Sequence, residues 1–165
     1  MIQVAVELPA VPVRPARPGD AHVLFALSRG FMASGELRPR PVGHYLARAG
    51  EFLLAPNAPG APDAPDGGAP AGCVAVRDEG EGAAVLHNFC VARGSQGRGI
   101  GSALLRAALA RARLLDADRV FTATTGPAVL FLRHGFAPTE PRRAPAAWAA
   151  ALDPARGSRV YVRTL

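Results

Sequence analysis

The sequence predicts one α/β (α+β) domain: a mixed, mainly antiparallel sheet of six to seven strands with helices on both faces. Three observations predict it. The chain has 165 residues, enough for one well-packed domain and too short for two. Its patterned segments run strand, helix, helix, an antiparallel β-meander, then helix, strand, helix, strand. A glycine-rich joint, Arg93 to Gly101, connects a strand to a long amphipathic helix. No internal repeat is visible, and residues 1–165 are expected to form a single domain.

The elements follow in order. Ile2–Leu8 alternates weakly, as a strand or a frayed extension. Val11–Ala16 reads as a strand whose prolines suit a sheet edge. Pro18-Gly19-Asp20 turns into a helix with Asp20 as N-cap, an apolar stripe of Val23, Leu24, Ala26 and Leu27, and an end near Gly30–Gly35. A second short helix covers Val42–Ala49, stopped by Gly50. Glu51–Ala55 is a short strand. Residues 55–71 then hold five prolines, six alanines and three glycines among 17 residues. That composition has no hydrophobic face and predicts a flexible, solvated loop between two strands.

Cys73–Arg77 and Ala83–Val91 flank Asp78-Glu79-Gly80-Glu81-Gly82 as a hairpin. The following helix runs to about Leu115, burying Ile100, Leu104, Leu105, Ala108, Ala112 and Leu115. Arg119–Thr124 is a buried strand. Pro127–His134 is a short helix with proline in its first turn, stopped by Gly135. His134 is expected to cap it, and His22 and His44 to lie on exposed helix surfaces. Ala144–Leu152 is an alanine-rich helix, and Arg159–Leu165 is the last strand.

Composition narrows the chemistry. Hydrophobic residues make up 49% of the chain, but 34 of them are alanine, so large apolar side chains suffice for one core only. The net charge is +6, and all 19 basic residues are arginine. The absence of lysine excludes Schiff-base chemistry and a lysine-bearing phosphate loop. The excess positive charge favours anionic ligands. Two cysteines, Cys73 and Cys90, are too few for a disulfide framework or a thiolate metal site and read as buried free thiols. No metal is expected. With no leader pattern and no long apolar run, the expected location is the cytoplasm, away from membranes. Nucleic-acid binding is disfavoured: the arginines are dispersed and stacking aromatics are few.

Gln96-Gly97-Arg98-Gly99-Ile100-Gly101 carries the chemistry. Glycines allow a sharp turn and close backbone approach, and N–H groups at a helix N-terminus attract anions. Arg93 and Arg98 supplement the field. The Gly-Lys-Ser/Thr signature and the dinucleotide spacing are both absent. Gln-x-x-Gly-x-Gly between a strand and an amphipathic helix instead resembles the GNAT superfamily of N-acetyltransferases. The likeness continues through Arg119–Thr125 and Leu130-Phe131-Leu132-Arg133-His134-Gly135-Phe136. It implies acetyl-CoA as co-substrate, with Gln96, Gly97, Arg98, Gly99, Ile100, Gly101 and Ser102 at its pyrophosphate. It implies a V-shaped gap in which Phe89, Cys90 and Val91 meet the pantetheine, with Phe131 beside it. A backbone N–H near Val91 would face the thioester oxygen. The amine attacks directly, so Cys90 is not a nucleophile.

Outside this loop the chain resembles the N-acetylglutamate synthases, which open arginine biosynthesis. The carrying stretches are Leu27-Ser28-Arg29, Ser34-Gly35-Glu36-Leu37-Arg38-Pro39-Arg40, Gly72-Cys73-Val74-Ala75-Val76-Arg77, Phe121–Thr125 and Arg156-Gly157-Ser158-Arg159. The likeness implies an acidic amino acid as partner, L-glutamate first. Arg29 and Arg156 would bind its carboxylates and Ser158 would add a hydrogen bond, with Arg77 and Arg40 supporting. The family's usual tyrosine acid falls at Phe131. No carboxylate stands on Ala83–Val91, which leaves His87 as base candidate or packed histidine, Asn88 to orient a water, or proton loss through water to solvent. The synthases' regulatory kinase-like domain is not expected, and the likeness is to the short, stand-alone synthases. A different small amine or a peptide N-terminus, a catalytically silent acetyl-CoA-binding regulator, and a homodimer remain open at this level.

Overall fold

A computed structural model describes residues 11–56 and 70–165. Among these residues seven strands form one sheet: β1 (Arg14–Pro15), β2 (Phe52–Ala55), β3 (Gly72–Gly80), β4 (Ala83–Val91), β5 (Arg119–Thr124), β6 (Ala137–Thr139) and β7 (Arg159–Thr164). Their order is β1-β2-β3-β4-β5-β7-β6. Only β4 and β5 pair in parallel; the other pairings are antiparallel. Among the described residues five α-helices complete the fold: α1 (Ala21–Ala33), α2 (Val42–Arg48), α3 (Ile100–Leu114), α4 (Val129–Arg133) and α5 (Ala146–Ala150).

The strands bury both faces because helices cover both. On one side, Val74, Val76, Ala84 and Leu86 pack under Leu104, Leu105 and Ala108 of α3 and Phe131 of α4. On the other, Cys73, Ala75 and Cys90 meet Leu24 and Phe31 of α1 and Tyr45 of α2. Val85 and Phe121 meet Trp148 of α5. The alternation along β3 and β4 therefore feeds two cores at once. In α3 the buried positions Ile100, Leu104, Ala108 and Ala112 recur every fourth residue, the stripe of a helix lying on a sheet. Each buried leucine there contributes about 2 kcal/mol.

Several sequence expectations need correction. Asp20 occupies the N-cap position of α1, as expected, but its side chain makes no capping bond there: its carboxylate accepts from the Arg17 N–H at 2.7 Å and holds Arg14 at 2.9 Å. It serves the 3₁₀ turn Pro18–Asp20, which precedes the helix. This bidentate pair keeps the Asp20 carboxyl down at about 2. The strand expected over Val11–Ala16 is only two residues long. β6 was not expected; this short edge strand contains Pro138. The helices around Val129 and Ala146 are shorter than their patterns suggest. The extension at Ile2–Leu8 and most of the 55–71 loop lie outside the described residues. Among the described residues no helix is long and apolar enough to cross a membrane.

Candidate active site

The parallel pairing of β4 with β5 runs from Ala83 opposite Arg119 to Leu86 opposite Thr122. The Thr122 hydroxyl donates to the Leu86 carbonyl at 3.3 Å and marks the end of contact. β4 then continues to Val91 while β5 ends at Thr124. The strands part there, and a cleft of about 780 Å³ opens between them.

A bulge directs β4 at this point. The β3–β4 register shifts between Cys73 and Ala75, and Asn88 has φ of 50°. Non-glycine residues rarely adopt that conformation, and asparagine tolerates it best. The side chain shows what holds it. Tyr45 Oη donates to Asn88 Oδ1 at 2.8 Å, and Asn88 Nδ2 donates to Ser28 Oγ at 2.9 Å. Both partners are fully buried. Burial pushes the Tyr45 hydroxyl up to about 12, so it stays a donor. Asn88 was expected to orient a water; its side chain is instead committed to α1 and α2. Beyond the bulge, Ala92 donates its N–H to Ala71 on the β3 side at 2.7 Å. Strand alternation then turns the Val91 N–H toward the cleft.

The anion end forms where β4 leads into α3. Gly97 and Gly99 both have φ of 79°, and neither Cβ position meets another atom within 4 Å. The loop is thus an open cradle that glycine alone adopts without strain. The first N–H groups of α3, from Ile100 to Ser102, have no acceptor within the helix and adjoin the cleft. Gln96 Nε2 donates back to the Val91 carbonyl at 3.2 Å, closing the loop on its strand. A Cβ on Gly101 would stand 3.0 Å from Leu130, so α3 and α4 meet closely. Ser102 Oγ lies 3.2 Å from His134 Nε2. Phe89 and Phe131 pack edge to face at 5.6 Å as an apolar wall. A pyrophosphate fits the cradle, and an apolar arm fits beside the wall.

Two arginines expected at this end do not line it. Arg98 is exposed outside the cleft. Arg93 pairs with Glu36 at 2.7 Å and stands over Phe31 at 4.8 Å. Arg133 lines the cleft in their place.

The cleft is also lined by Arg38, Arg40, Arg156, Ser158, His44 and His87. Arg38 donates to the Ala151 carbonyl at 3.0 Å. Arg156 spans the carbonyls of Gly35 and Glu36, each at 3.2 Å. Both guanidiniums thus fix the loop after α1 as well as charging the cleft. Burial, then the charges of Arg38, Arg48 and Arg77, pull Arg40 below its usual range. Burial and Arg40 push His44 down to about 4, so its ring is neutral near pH 7. His87 Nε2 lies 3.3 Å from Glu51 Oε2, and Glu51 Oε1 accepts from Arg48 at 3.1 Å.

Of the expected carboxylate ligands, Arg156, Arg40 and Ser158 line the cleft and Arg29 and Arg77 do not. Arg29 is exposed on α1. Arg77 pairs with Glu79 at 2.7 Å. Arg38 was assigned no role although it sits in the same stretch as Arg40. His44, expected on the surface, is half-buried at the cleft. Cys73 and Cys90 are free and buried, with sulfurs 3.7 Å apart. That contact and burial push the Cys90 thiol well above its usual range, the reverse of an activated nucleophile.

The sequence model described as the acetyltransferase (GNAT) family matches residues 27–136. No curated protein sequence matches the chain significantly. Solved structures share its fold. N-acetylglutamate synthase from Neisseria gonorrhoeae, complexed with coenzyme A and N-acetyl-glutamate, is 24% identical at TM-score 0.82, over 93% of this chain. This chain covers 35% of that synthase's length. Rv2747 from Mycobacterium tuberculosis, in complex with CoA and NLQ, is 22% identical at TM-score 0.74, over 93% of this chain and 99% of its own. Ard1 from Thermoplasma volcanium is 17% identical at TM-score 0.71, over 94% and 98%. At these identities the likeness is one of fold.

Proposed function

The chain belongs to the acetyltransferase (GNAT) family, and from that premise we propose that it acetylates the α-amine of an acidic amino acid, L-glutamate above others. Acetyl-CoA is the co-substrate. The observation that carries the acceptor class is that Arg38, Arg40 and Arg156, on or against the loop after α1, all line the cleft. Glu36 and Asp153 are the carboxylates beside them. Glu36 is already held by Arg93 and Ser34, and Asp153 accepts from the Ala155 N–H. This part of the lining is therefore positive, which favours carboxylates and opposes polyamines or cationic peptides. One of the solved structures that share this fold holds coenzyme A together with N-acetyl-glutamate.

The residues divide the work. The amides of Gly97 to Ser102 receive the pyrophosphate, with Arg133 adding charge. Phe89 and Phe131 border the pantetheine arm. The Val91 N–H donates to the thioester oxygen as negative charge develops there. Arg40, Arg38 and Arg156, with the Ser158 hydroxyl, hold the acceptor's carboxylates and so set the position of its amine. His87 takes the proton from that amine as its nitrogen bonds to the acetyl carbon. The C–S bond then breaks and CoA leaves as the thiolate. Phe131 offers no proton, so the thiolate is protonated by solvent. No acyl-enzyme forms on Cys90.

The test is CoA-thiol release measured across the twenty amino acids. L-Glutamate is expected to lead, with L-aspartate behind. Arg40→Ala should raise the glutamate KM by about 10-fold or more, the value of a charge-assisted contact, and leave the acetyl-CoA KM within about twofold. Activity confined to an amine without carboxylates, or to a peptide N-terminus, overturns the acceptor assignment.

A further inference from the structure

His87 is the first residue of β4 beyond its last pairing with β5, so its ring stands where the cleft opens. Its Nε2 faces Glu51 Oε2 at 3.3 Å. Among the described residues no group bonds Nδ1, and no buried side-chain nitrogen or oxygen lacks a partner. Nδ1 is therefore open to solvent. Phe52 packs edge-on against the ring, with centroids 6.1 Å apart. The imidazole is thus held on one side by an apolar face and at one nitrogen by a carboxylate.

The charges around this pair are nearly all positive. Arg48 approaches from α2, Arg40 from the loop before it, and Arg77 from β3, while His44 of α2 is neutral near pH 7. Glu79 is taken up by Arg77. Glu51 is the carboxylate in contact with the ring. Burial pushes the Glu51 carboxyl up, but the hydrogen bond and charges of His87, then Arg48 and Arg77, outweigh it, so it is ionised near pH 7. An imidazolium formed here without Glu51 would stand among cations alone, at an electrostatic cost that slows proton transfer.

We propose that Glu51 is the positioning residue of the acetyl transfer. It holds His87 as the Nε2–H tautomer, leaves Nδ1 as the atom that accepts the acceptor amine's proton, and balances the imidazolium that results. The assignment rests on His87 as base, and it deepens that reading with a residue from outside β4. Glu51 lies 36 positions away in sequence and touches neither substrate nor CoA in this scheme. The proton balance is complete: the amine N–H breaks, Nδ1–H forms, and the proton passes to solvent after transfer.

The experiment combines ring-nitrogen NMR of ¹⁵N-labelled protein, at about pH 9 where imidazoles are neutral, with steady-state kinetics on L-glutamate and acetyl-CoA. His87→Gln assigns the His87 signals. The wild type is expected to show a protonated Nε2 and an unprotonated Nδ1. Glu51→Gln keeps an oxygen acceptor, so it should keep the tautomer, yet lose kcat by about 10-fold through the missing charge. Glu51→Ala should mix the tautomers and lose kcat by about 100-fold, the order of a general-base contribution. The acetyl-CoA KM should stay within about twofold in both. A wild-type His87 protonated at Nδ1 overturns the proposal whatever the acceptor, since that readout needs no turnover. Full activity in His87→Gln overturns the base itself. Lost activity in His87→Gln with kcat and tautomer unchanged in Glu51→Ala overturns only the role of Glu51.

Discussion

Replacing Asn88 with alanine tests how the cleft is held open. The substitution removes two hydrogen bonds with hydroxyls, from Tyr45 at 2.8 Å and to Ser28 at 2.9 Å, and a weak one to Cys73 Sγ at 3.6 Å. Each contributes about 1 kcal/mol net, but the larger loss is desolvation. Tyr45 and Ser28 are 0% exposed, so each hydroxyl left unpaired costs about 1–3 kcal/mol. Alanine at φ of 50° adds about 1 kcal/mol over asparagine. Water entering the vacated space recovers part of this, which sets the expected loss at about 3 kcal/mol. In urea unfolding the midpoint falls with the m-value unchanged, and Tm drops by about 6–12 °C for a chain of this size. Asn88→Gly makes the same hydrogen-bond loss without the backbone strain, so it should be about 1 kcal/mol less damaging than alanine. Both variants should raise the acetyl-CoA KM, because the bulge aims Phe89 to Val91. Stability of Asn88→Ala within about 0.5 kcal/mol of wild type, or glycine worse than alanine, refutes the idea that this network holds a strained bulge.

Two further outcomes follow from the packing around Gly72 and His44. A Cβ on Gly72 would stand 2.8 Å from Leu104 Cδ1 and 2.9 Å from the Cys90 carbonyl. Gly72→Ala must therefore spread β3 from β4 or lift α3, and should cost about 1–3 kcal/mol in chemical denaturation and raise the acetyl-CoA KM; an unchanged Tm contradicts it. His44 titrates at about 4 in the fold, against about 6.5 when free. Between those values the unfolded chain binds more protons, so stability is full above pH 6.5 and falls as pH drops toward 4. Half-exposure discounts the ceiling of about 3 kcal/mol to about 1–2 kcal/mol. His44→Asn should flatten that part of the stability–pH curve, and an equally steep slope in the variant rules His44 out as its source.

What was legible in the sequence is what is written locally. The glycine loop, β4 and α3 carry their own periodicity and turn chemistry, and they lie where the pattern puts them. β6 was invisible because its three residues, Ala137-Pro138-Thr139, carry no alternation; pairing with Val160 to Val162 makes it a strand. The acceptor end was half legible. Leu24, Ser28 and Phe31 are the inward face of α1, and Ser28 reaches Asn88. Arg29 is one residue further, about 100° around the helix, and so faces solvent. That phase was available in the sequence and argued against Arg29 as a ligand. Glu51 carried no local signal, because only the β2–β3–β4 pairing brings it to His87.

The all-arginine charge takes a more specific meaning from these contacts. Arg14, Arg48, Arg77, Arg93, Arg119 and Arg142 pair with carboxylates. Arg111 reaches the carbonyls of Gly50 and Phe52, and Arg163 that of His134. A planar guanidinium can span two carbonyls where an ammonium offers one point charge, and a chain with few large apolar residues gains fixed loops that way. The net charge of +6 is therefore a poor measure of anion affinity. What matters for binding is the smaller set that lines the cleft, Arg133 of α4 and Arg38, Arg40 and Arg156. Two of these, Arg38 and Arg156, also fasten the loop that carries Arg40. The acceptor end is thus preorganised by the same guanidiniums that charge it, so charge reversal there should damage loop order and carboxylate binding together, whereas Arg40→Ala removes charge alone.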